Sequence, residues 1–449
     1  MSSLSFDIIN AIRQRQKLGL PEEVHKKVIL HISDTIGISL AAYKGAPIAL
    51  QSISGISLGV EGGAGRVIGS SHQLPPAYAA FSNTALAHAL DFDDINDLAR
   101  IHPTPIILAS ALAAADIEGS RATDLVTAVG LGNELICRLG YAIEPRGTGA
   151  DSKWFLSQLF GYLGAAITAG LVLGLDDSEM VHALGLAYMQ LAGGKEPGVG
   201  VGSQARSIYP AFASMGGVQA AFLAREGVSA PASSLDGKAG LFRNYFGKDL
   251  SEGQRKILLD TETWAFSETS IKLFPSCRYS HLYIKSALDL RNEVKHYQIE
   301  NLVIGVNETA SMLCHPLPER CHPQTLQDAK FSIPFIVAFT FVHGNVNLNN
   351  LTDEALKDSQ VLELSRLVKI EHTQPNTLGL PQGDIKVITA QGTKRHIERC
   401  LPIVNFDEVK NKFIECCQFA NIGAPEEVWK TISNSPDYDL LNKLPLMLH

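Results

Sequence analysis

The chain has 449 residues, of which 45% are hydrophobic, 19% charged and 7% aromatic. This length allows two or three domains, and the low aromatic share with many Ala, Leu and Gly residues favours packed helices over a β-sandwich. The formal net charge of −8 and the lack of a basic tract argue against binding to nucleic acid or to an anionic membrane surface.

Residues 1–16 lack the basic and then apolar pattern of a secretory signal. The seven cysteines are odd in number, and we expect them to be reduced in a cytoplasmic protein. Residues 154–175 carry no charge but are only moderately hydrophobic. This pattern predicts a buried core helix rather than a membrane span, so we expect no membrane association.

Helical patterns dominate residues 1–265. Residues 21–23 open a helix with proline in its first turn. Its apolar positions recur every four residues, at Val24, Val28, Ile32 and Ile36. A glycine-rich connection at 58–69 follows, and residues 75–76 begin a helix that leads into a cluster of acids.

This acidic cluster has two interpretations. It contains Asp91, Asp93, Asp94 and Asp97, and it is followed by Arg100 and His102. If the preceding helix runs into it, the carboxylates lie at the negative end of the helix dipole, at a cost of roughly 0.3–1 kcal/mol each, and chemistry could explain why that cost is accepted. Alternatively, the helix ends earlier and Asn96 or Asp97 caps the next helix.

The periodicity changes from 3.6 to 2 after about residue 266. Short strand patterns occur at 302–306 and 369–372, and a hairpin pattern at 384–399 turns at Gln391 and Gly392. One helix is predicted at 328–343, and helical patterns return at about 407. We predict a mainly α fold: a large all-helical domain, built from residues 1–265 and 401–449, with a smaller α+β lid domain inserted at 266–400.

A second group of polar residues opens the predicted lid. Lys272, Cys277, Arg278, Tyr279 and His281 lie within ten residues, and Pro275 favours a rigid loop before a helix. Such a loop could receive a carboxylate. It could equally be a polar domain junction with Cys277 buried.

A third candidate lies between a glycine-rich loop at 193–202 and a helix at about 209–225. Arg206, followed by Ser207, could hold a carboxylate through two parallel hydrogen bonds. The alternative is an ordinary surface arginine.

A different class of enzyme is suggested by Asp93, Asp94 and Asp97, which match the DDxxD magnesium-diphosphate motif of terpene synthases. No second magnesium motif follows, and an α+β insertion does not suit that fold. The Cys-His pairs at 314–315 and 321–322 match no common zinc spacing, so no metal is expected.

Several stretches together resemble the MmgE/PrpD family, which contains 2-methylcitrate dehydratase, cis-aconitate decarboxylase and iminodisuccinate epimerase. They are DTIGISLAAY at 34–43, GRVIG at 65–69, ALDFDD at 89–94 with His102, GYLGAA at 161–166 with LGL at 173–175, LFPSC at 273–277 with His281, and DAKFSIPF at 328–335. The resemblance covers nearly the whole chain, and the order and spacing of these stretches together make it specific.

The resemblance implies a large helical domain with an α+β lid, a homodimer, and neither metal nor organic cofactor. It implies a lyase or isomerase that removes a proton next to a carboxylate of a small carboxylic acid, followed by dehydration, decarboxylation or reprotonation. We expect a carbon-oxygen lyase, or a related decarboxylase or isomerase. The expected catalytic residues are Asp91, His102, Lys272 and His281.

The expected substrate-binding residues are Asp93, Phe155, Arg206, Ser207, Cys277, Arg278 and Tyr279. Two of these depart from the family pattern, which typically has histidine where this chain has Phe155 and lysine where it has Arg206. Phe155 cannot move protons, and Arg206 stays protonated. We therefore expect a changed substrate, with Phe155 as an apolar wall of the site. The alternative is a catalytically altered or inactive family member with a binding role.

Overall fold

A computed structural model describes residues 3–119, 124–143, 153–198, 201–376 and 380–434. The helices before residue 265 are α1 Leu4–Leu18, α2 Glu22–Gly45, α3 Pro47–Ile56, α4 Pro76–His88, α5 Thr104–Glu118, α6 Leu125–Ala142, α7 Leu156–Val172, α8 Asp177–Tyr188, α9 Ala211–Arg225, α10 Leu241–Phe246 and α11 Glu252–Leu259. Four two-residue strands accompany them: β1 Gly65–Arg66, β2 Gln73–Leu74, β3 Ile95–Asn96 and β4 Thr269–Ser270.

The remaining elements contain the larger sheet. Its strands are β5 Asn301–Val306, β6 Val368–His372, β7 Gly383–Thr389 and β8 Gly392–Glu398. The helices are α12 His281–Glu293, α13 Glu308–Ser311, α14 Leu317–Cys321, α15 Leu326–Lys330, α16 Ile333–His343, α17 Ser359–Arg366, α18 Phe406–Phe419 and α19 Pro425–Asn434.

Helix α7 is buried along its whole length, which confirms the core helix predicted from the uncharged segment. Small residues let its neighbours approach closely. A Cβ added at Gly217 of α9 would overlap Ala165 of α7 and lie 2.7 Å from the carbonyl oxygen of Tyr162. Within the described ranges, no helix combines the length and the apolar character needed to cross a membrane.

The sheet has the strand order β6-β5-β7-β8. Strand β5 pairs in parallel with β6 and antiparallel with β7, and β7 and β8 form the predicted hairpin, closed by the pairing of Thr389 with Gly392. The single helix predicted at 328–343 is instead two helices, α15 and α16. The break occurs because the Ser332 side chain caps the second helix, which has Pro334 in its first turn.

The chain returns to the helical part through α18, which packs against α2. The Phe413 ring occupies the space above Gly37, and Lys412 Nζ lies 2.8 Å from the Asp34 carboxylate.

The mainly α fold with a smaller sheet-containing part is confirmed by these elements together. The exact division at 265/266 and 400/401 stays a prediction.

A short antiparallel pairing joins the two parts beside the acidic cluster. Strand β3, within that cluster, pairs with β4, which lies just before Lys272. The Asn96 side chain reinforces the junction by donating to the Ala265 carbonyl oxygen at 2.9 Å. This pairing brings the first two candidate groups of residues next to each other.

Candidate functional site

Helix α4 ends at His88, before the first acid of the cluster. The acids then occupy a loop, residues 89–103, in which Asp91 has a left-handed backbone with φ of 53°. Neither Asn96 nor Asp97 caps the next helix, because α5 begins at Thr104. The helix thus ends earlier and does not run into the acids, but the predicted cap at Asn96 or Asp97 is wrong, although the Asp94 carboxylate does accept a hydrogen bond from the Thr104 backbone N–H at 3.2 Å.

Two buried lysines from the second half of the chain bind the residues that directly follow α4. Lys272 Nζ donates to the Asp91 carboxylate at 2.8 Å and to its carbonyl oxygen at 3.0 Å, while Lys330 Nζ donates to the Leu90 carbonyl oxygen at 2.9 Å. Burial lowers the pKa of Lys330 to about 8. Burial would also lower the pKa of Lys272, but the charges of Asp91 and Asp93 raise it above its ordinary value.

Asp91 is a buried carboxylate with one oxygen available. Its Oδ1 atom is held by Lys272, and its Oδ2 atom is buried with no hydrogen-bond partner among the residues that the structure describes. A buried acceptor without a partner costs free energy, on the order of 1–3 kcal/mol. This oxygen is therefore suited to accept a proton or a hydrogen bond from a bound molecule.

Asp93 lies between two histidines. Its Oδ2 atom is 2.7 Å from His88 Nδ1 and 3.1 Å from His102 Nδ1, and its side chain is fully buried. Burial alone would raise the pKa of Asp93, but the two imidazoles hold it well below its usual range. Asp93 thus acts as an anion that both rings face.

The position of His102 determines which ring nitrogen is free. Its Nδ1 atom lies 2.8 Å from the Asp94 carbonyl oxygen, and its backbone N–H donates to the Ser157 hydroxyl at 3.0 Å. A carbonyl oxygen only accepts, so Nδ1 carries the hydrogen. In the neutral ring Nε2 then holds the lone pair and can take up a proton.

Phe155 belongs to a row of rings that ends at these histidines. It stacks on Tyr209, with ring centroids 4.1 Å apart, and Tyr209 contacts His88 edge-on at 5.1 Å. His88 in turn contacts His102 at 5.0 Å. Phe155 is 8% exposed and forms an apolar end of this row.

Arg206 lies next to Phe155, across Gly198. Its Nη1 atom donates to the Gly198 carbonyl oxygen at 2.9 Å, and the guanidinium lies over the Phe331 ring at 3.5 Å. Within the described residues these contacts occupy the Nη1 atom and one face of the guanidinium, so the edge with Nε and Nη2 can donate to a bound carboxylate. The neighbouring Ser207 hydroxyl donates to Gln327 at 2.8 Å and fastens this turn to α15.

The other residues from the 272–281 group make local contacts. His281 is buried against the Phe274 ring and lies 3.3 Å from the Ser276 carbonyl oxygen; burial, with the charges of Arg278 and Lys272, lowers its pKa well below the usual range. Arg278 forms a two-point ion pair with Asp97, at 3.1 and 2.9 Å.

Cys277 and Tyr279 complete this group. Burial raises the pKa of the Cys277 thiol, so the group stays protonated and is a poor nucleophile. Burial also raises the pKa of the Tyr279 hydroxyl. The predicted roles of both residues in substrate binding stay predictions.

The structure therefore brings most of the candidates into one neighbourhood. The members linked by adjacency in the chain or by contacts, which for Phe155 run through Tyr209 and His88, are Asp91, Asp93, His102, Phe155, Arg206, Ser207 and Lys272. The structure gives no such link for His281, Cys277, Arg278 and Tyr279 within the described residues. A cavity of about 220 Å³ lies on another side of the acidic loop, lined by Phe92, Leu273 and Lys412, and none of the predicted site residues borders it.

The terpene synthase interpretation is wrong. The three acids of the DDxxD pattern have three different partners: Asp93 faces His88 and His102, Asp94 faces His31, and Asp97 faces Arg278. Because Ile95 and Asn96 between them form strand β3, the acids do not share one helix face. They cannot hold magnesium ions together in this arrangement.

His88, Asp93 and His102 also come close enough to be considered as metal ligands. The ligand atoms of a tetrahedral zinc site, at about 2.0–2.1 Å from the metal, are roughly 3.3 Å apart. Here the Nδ1–Oδ2 separations are 2.7 and 3.1 Å, and His102 Nδ1 is also bonded to the Asp94 carbonyl. Direct hydrogen bonds account for the geometry, and the expectation of a site without metal stays a prediction.

Three residues of this neighbourhood were missed by the sequence analysis: His88, Tyr209 and Lys330. His88 ends the helix before the acids, and Lys330 lies within DAKFSIPF, so both had a signal in their neighbours. Tyr209 had none beyond its nearness to Arg206.

Comparisons with known proteins agree with this architecture. The profile of the MmgE/PrpD N-terminal domain matches residues 8–253, and that of the MmgE/PrpD C-terminal domain matches residues 274–421. The chain is 26% identical over 321 residues to cis-aconitate decarboxylase of Mus musculus, covering 68% of this chain and 62% of that protein.

Two further relatives of this chain are also named as cis-aconitate decarboxylases or as similar to them. Cis-aconitate decarboxylase of Homo sapiens is 27% identical, over 68% of this chain and 63% of its own length. A cis-aconitate decarboxylase-like protein of Aspergillus oryzae is 25% identical, over 81% of this chain and 78% of its own length. The match thus spans less than two thirds of the mouse and human proteins.

Proposed function

Because this chain belongs to the MmgE/PrpD family, we propose that it is a lyase or isomerase that removes a proton next to a carboxylate of a small carboxylic acid. The names of its relatives favour decarboxylation, in which the bond to the leaving CO₂ breaks and the carbon that keeps the electrons takes up a proton, whereas dehydration and isomerisation begin with the removal of a proton. The reaction needs an acceptor for the proton and cations for the carboxylates. No cofactor enters this proposal.

The observation that carries the proposal is the Asp91 carboxylate. Its Oδ2 atom is buried and without a partner in the described part of the chain, while Lys272 holds its other oxygen. We assign Asp91 the role of proton acceptor, with the electrons of the broken C–H bond delocalised toward the substrate carboxylate. Lys272 then compensates the charge of Asp91, since its ammonium is already engaged with that residue.

His102 and Arg206 supply the remaining functions. His102 uses its Nδ1 atom for the Asp94 carbonyl, and within the described residues its Nε2 atom can deliver or receive the second proton of the reaction. The free edge of the Arg206 guanidinium matches a carboxylate, and stacking on Phe331 holds it in place. His281 faces its own loop, so we give it the lesser role of supporting that loop.

Phe155 and Tyr209 indicate what kind of acid is bound. Their stacked rings form an apolar surface next to the histidines, at the position where the family typically has another histidine. A third polar group of a tricarboxylic acid would lose hydrogen bonds there. We therefore propose a substrate with an apolar group at this point.

The competing proposal is a family member that binds a carboxylic acid without converting it. The presence of Phe155 and Arg206 favours this proposal, because each stands where the family typically has a residue that could exchange protons at neutral pH. The Oδ2 atom of Asp91 favours the proposal of an enzyme, because this buried oxygen without a partner in the described residues can accept a proton.

Exchange of substrate protons with solvent tests the proposal without a known product. Dicarboxylic and tricarboxylic acids, including cis-aconitate and 2-methylcitrate, are incubated with the protein in D₂O, and ¹H NMR follows loss of the signals next to each carboxylate. Asp91→Asn should lower exchange by at least 100-fold, because an amide is not a base. The exposed Asp353 provides the control, and Asp353→Asn should change nothing.

Two results would contradict the proposal, the first against enzyme activity and the second against Asp91 as the base. One is tight binding of an acid, measured by calorimetry, without exchange or turnover, which supports the binding role. The other is exchange at the same rate in Asp91→Asn, which removes Asp91 as the base even if the protein is an enzyme.

A further inference from the structure

His88 is a buried histidine on the same carboxylate as His102. Its Nδ1 atom is 2.7 Å from Asp93 Oδ2, the shorter of the two contacts that this oxygen makes with imidazoles. His88 is 5% exposed, and its ring is flanked by those of His102 and Tyr209. His88 thus packs against the His102 ring and makes its polar contact with Asp93.

We propose that His88 is a positioning residue, which holds Asp93 so that His102 keeps one orientation and one tautomer. This inference rests on the proposed role of His102 in proton transfer. The distances support it, because His102 Nδ1 is closer to the Asp94 carbonyl oxygen, at 2.8 Å, than to Asp93 Oδ2, at 3.1 Å. His88 holds Asp93 in place, and His102 can therefore donate its Nδ1 hydrogen to the Asp94 carbonyl oxygen.

Removal of the His88 donor would change this balance. Asp93 Oδ1 is buried and has no hydrogen-bond partner within the described residues, so His102 would be the sole remaining donor to the carboxylate. A buried anion with so few donors is costly. His102 would turn toward Asp93 and away from the Asp94 carbonyl, which would misplace its Nε2 atom.

The charges around this group come from several elements. Asp91 and Lys272 lie next to Asp93, Asp94 is bonded to His31, and Arg206 lies near Tyr209. His88→Asn and His88→Leu leave all of these groups in place. A difference between the two variants therefore reports on the donor at position 88.

The two substitutions separate positioning from ionisation and from packing. The amide nitrogen of Asn can take the place of His Nδ1 as a donor to Asp93 but cannot ionise, while Leu fills the space without a donor. We expect His88→Leu to lower kcat for proton exchange by 10- to 100-fold with KM within threefold of the native value. His88→Asn should recover most of that loss.

A spectroscopic measurement makes the test independent of turnover. In protein with ¹⁵N-labelled histidine, the hydrogen-bonded Nδ1 proton of His102 is assigned by its loss in His102→Gln. We expect its resonance to move in His88→Leu and to stay in place in His88→Asn. If no acid is turned over, the proposed function fails, but this resonance still tests the role of His88.

Three outcomes would overturn the inference. The resonance and the rate could both be unchanged in His88→Leu, which means that Asp93 needs no second donor. Alternatively, His88→Asn could be as impaired as His88→Leu, which means that His88 must ionise. Finally, a similar loss in His72→Leu, at an exposed histidine, would show that the effect is not specific.

Discussion

The acids of the loop after α4 each have a separate set of partners. Lys272 holds Asp91, two imidazoles hold Asp93, and Arg278 holds Asp97. Several of these groups are almost fully buried, so a charge left without its partner is costly. At the residue scale, the site is therefore sensitive to the loss of one partner more than to the loss of a whole pair.

The pair of Lys272 and Asp91 allows a direct test of this sensitivity. Lys272→Met leaves a buried carboxylate uncompensated and should lower the free energy of unfolding by about 3–5 kcal/mol. The double variant with Asp91→Asn should recover at least half of that loss. Urea unfolding followed by circular dichroism measures both values.

An exposed pair provides the control for this prediction. Lys386 and Glu371 lie 3.8 Å apart with side chains 34% and 50% exposed. Because water screens such charges, Lys386→Met should change stability by less than about 1 kcal/mol. Equal effects of Lys386→Met and Lys272→Met would contradict the argument.

Lys330 should make stability depend on pH. Burial lowers its pKa to about 8 from an ordinary value of 10.5, so between these values the unfolded chain binds more protons than the folded protein. The free energy of unfolding therefore rises with pH in this window. Below pH 8 the burial of Lys330 lowers it by the full amount.

The comparison of native protein with Lys330→Met isolates this contribution. The difference in unfolding free energy, native minus variant, should increase by roughly 1–2 kcal/mol from pH 8 to pH 9.5. Urea unfolding at four pH values in this range measures it. A difference that is constant or falls with pH would show that Lys330 keeps its ordinary pKa.

At the scale of elements, the close contact of α7 and α9 depends on glycine. Gly217→Ala would place a methyl group against Ala165 and the Tyr162 carbonyl, which is backbone and cannot move away easily. We expect a loss of about 1–3 kcal/mol in the free energy of unfolding. Thermal unfolding should show a lower Tm.

Gly55 in α3 offers the matched substitution. A Cβ there has no neighbour within 4 Å, so only helix propensity should count. Gly55→Ala is expected to be neutral or stabilising by up to about 1 kcal/mol. Similar losses at both glycines would mean that backbone freedom, and not packing, explains the effect.

At the scale of the whole molecule, we propose a homodimer formed through the helical part. Phe212 and Leu223 are 40% and 45% exposed, and their spacing of eleven residues places them on one face of α9. Light scattering at micromolar concentration should give twice the chain mass of 48.5 kDa. Leu223→Glu should shift the equilibrium toward monomer, and a native protein that is already monomeric would contradict the proposal.

The sequence by itself determined the elements whose pattern is local. The uncharged run predicted α7 because a helix without charge must be buried, and alternation around Gln391 and Gly392 predicted the hairpin of β7 and β8. The resemblance to the family also named Asp91, His102 and Lys272 as catalytic residues, and these roles stay predictions. These inferences need only residues that are close in the chain or a pattern shared along it.

The tertiary structure decided the chemistry of the acidic loop. Whether the acids could follow α4 depended on Lys272 and Lys330, which lie 181 and 240 residues further along the chain than the groups they bind. The position of His88 behind His102 likewise depends on where α4 ends and how the loop folds back. Contacts of this kind follow from the packing of the two parts of the molecule, because burial raises the free energy of every charge and only the folded arrangement supplies its partner.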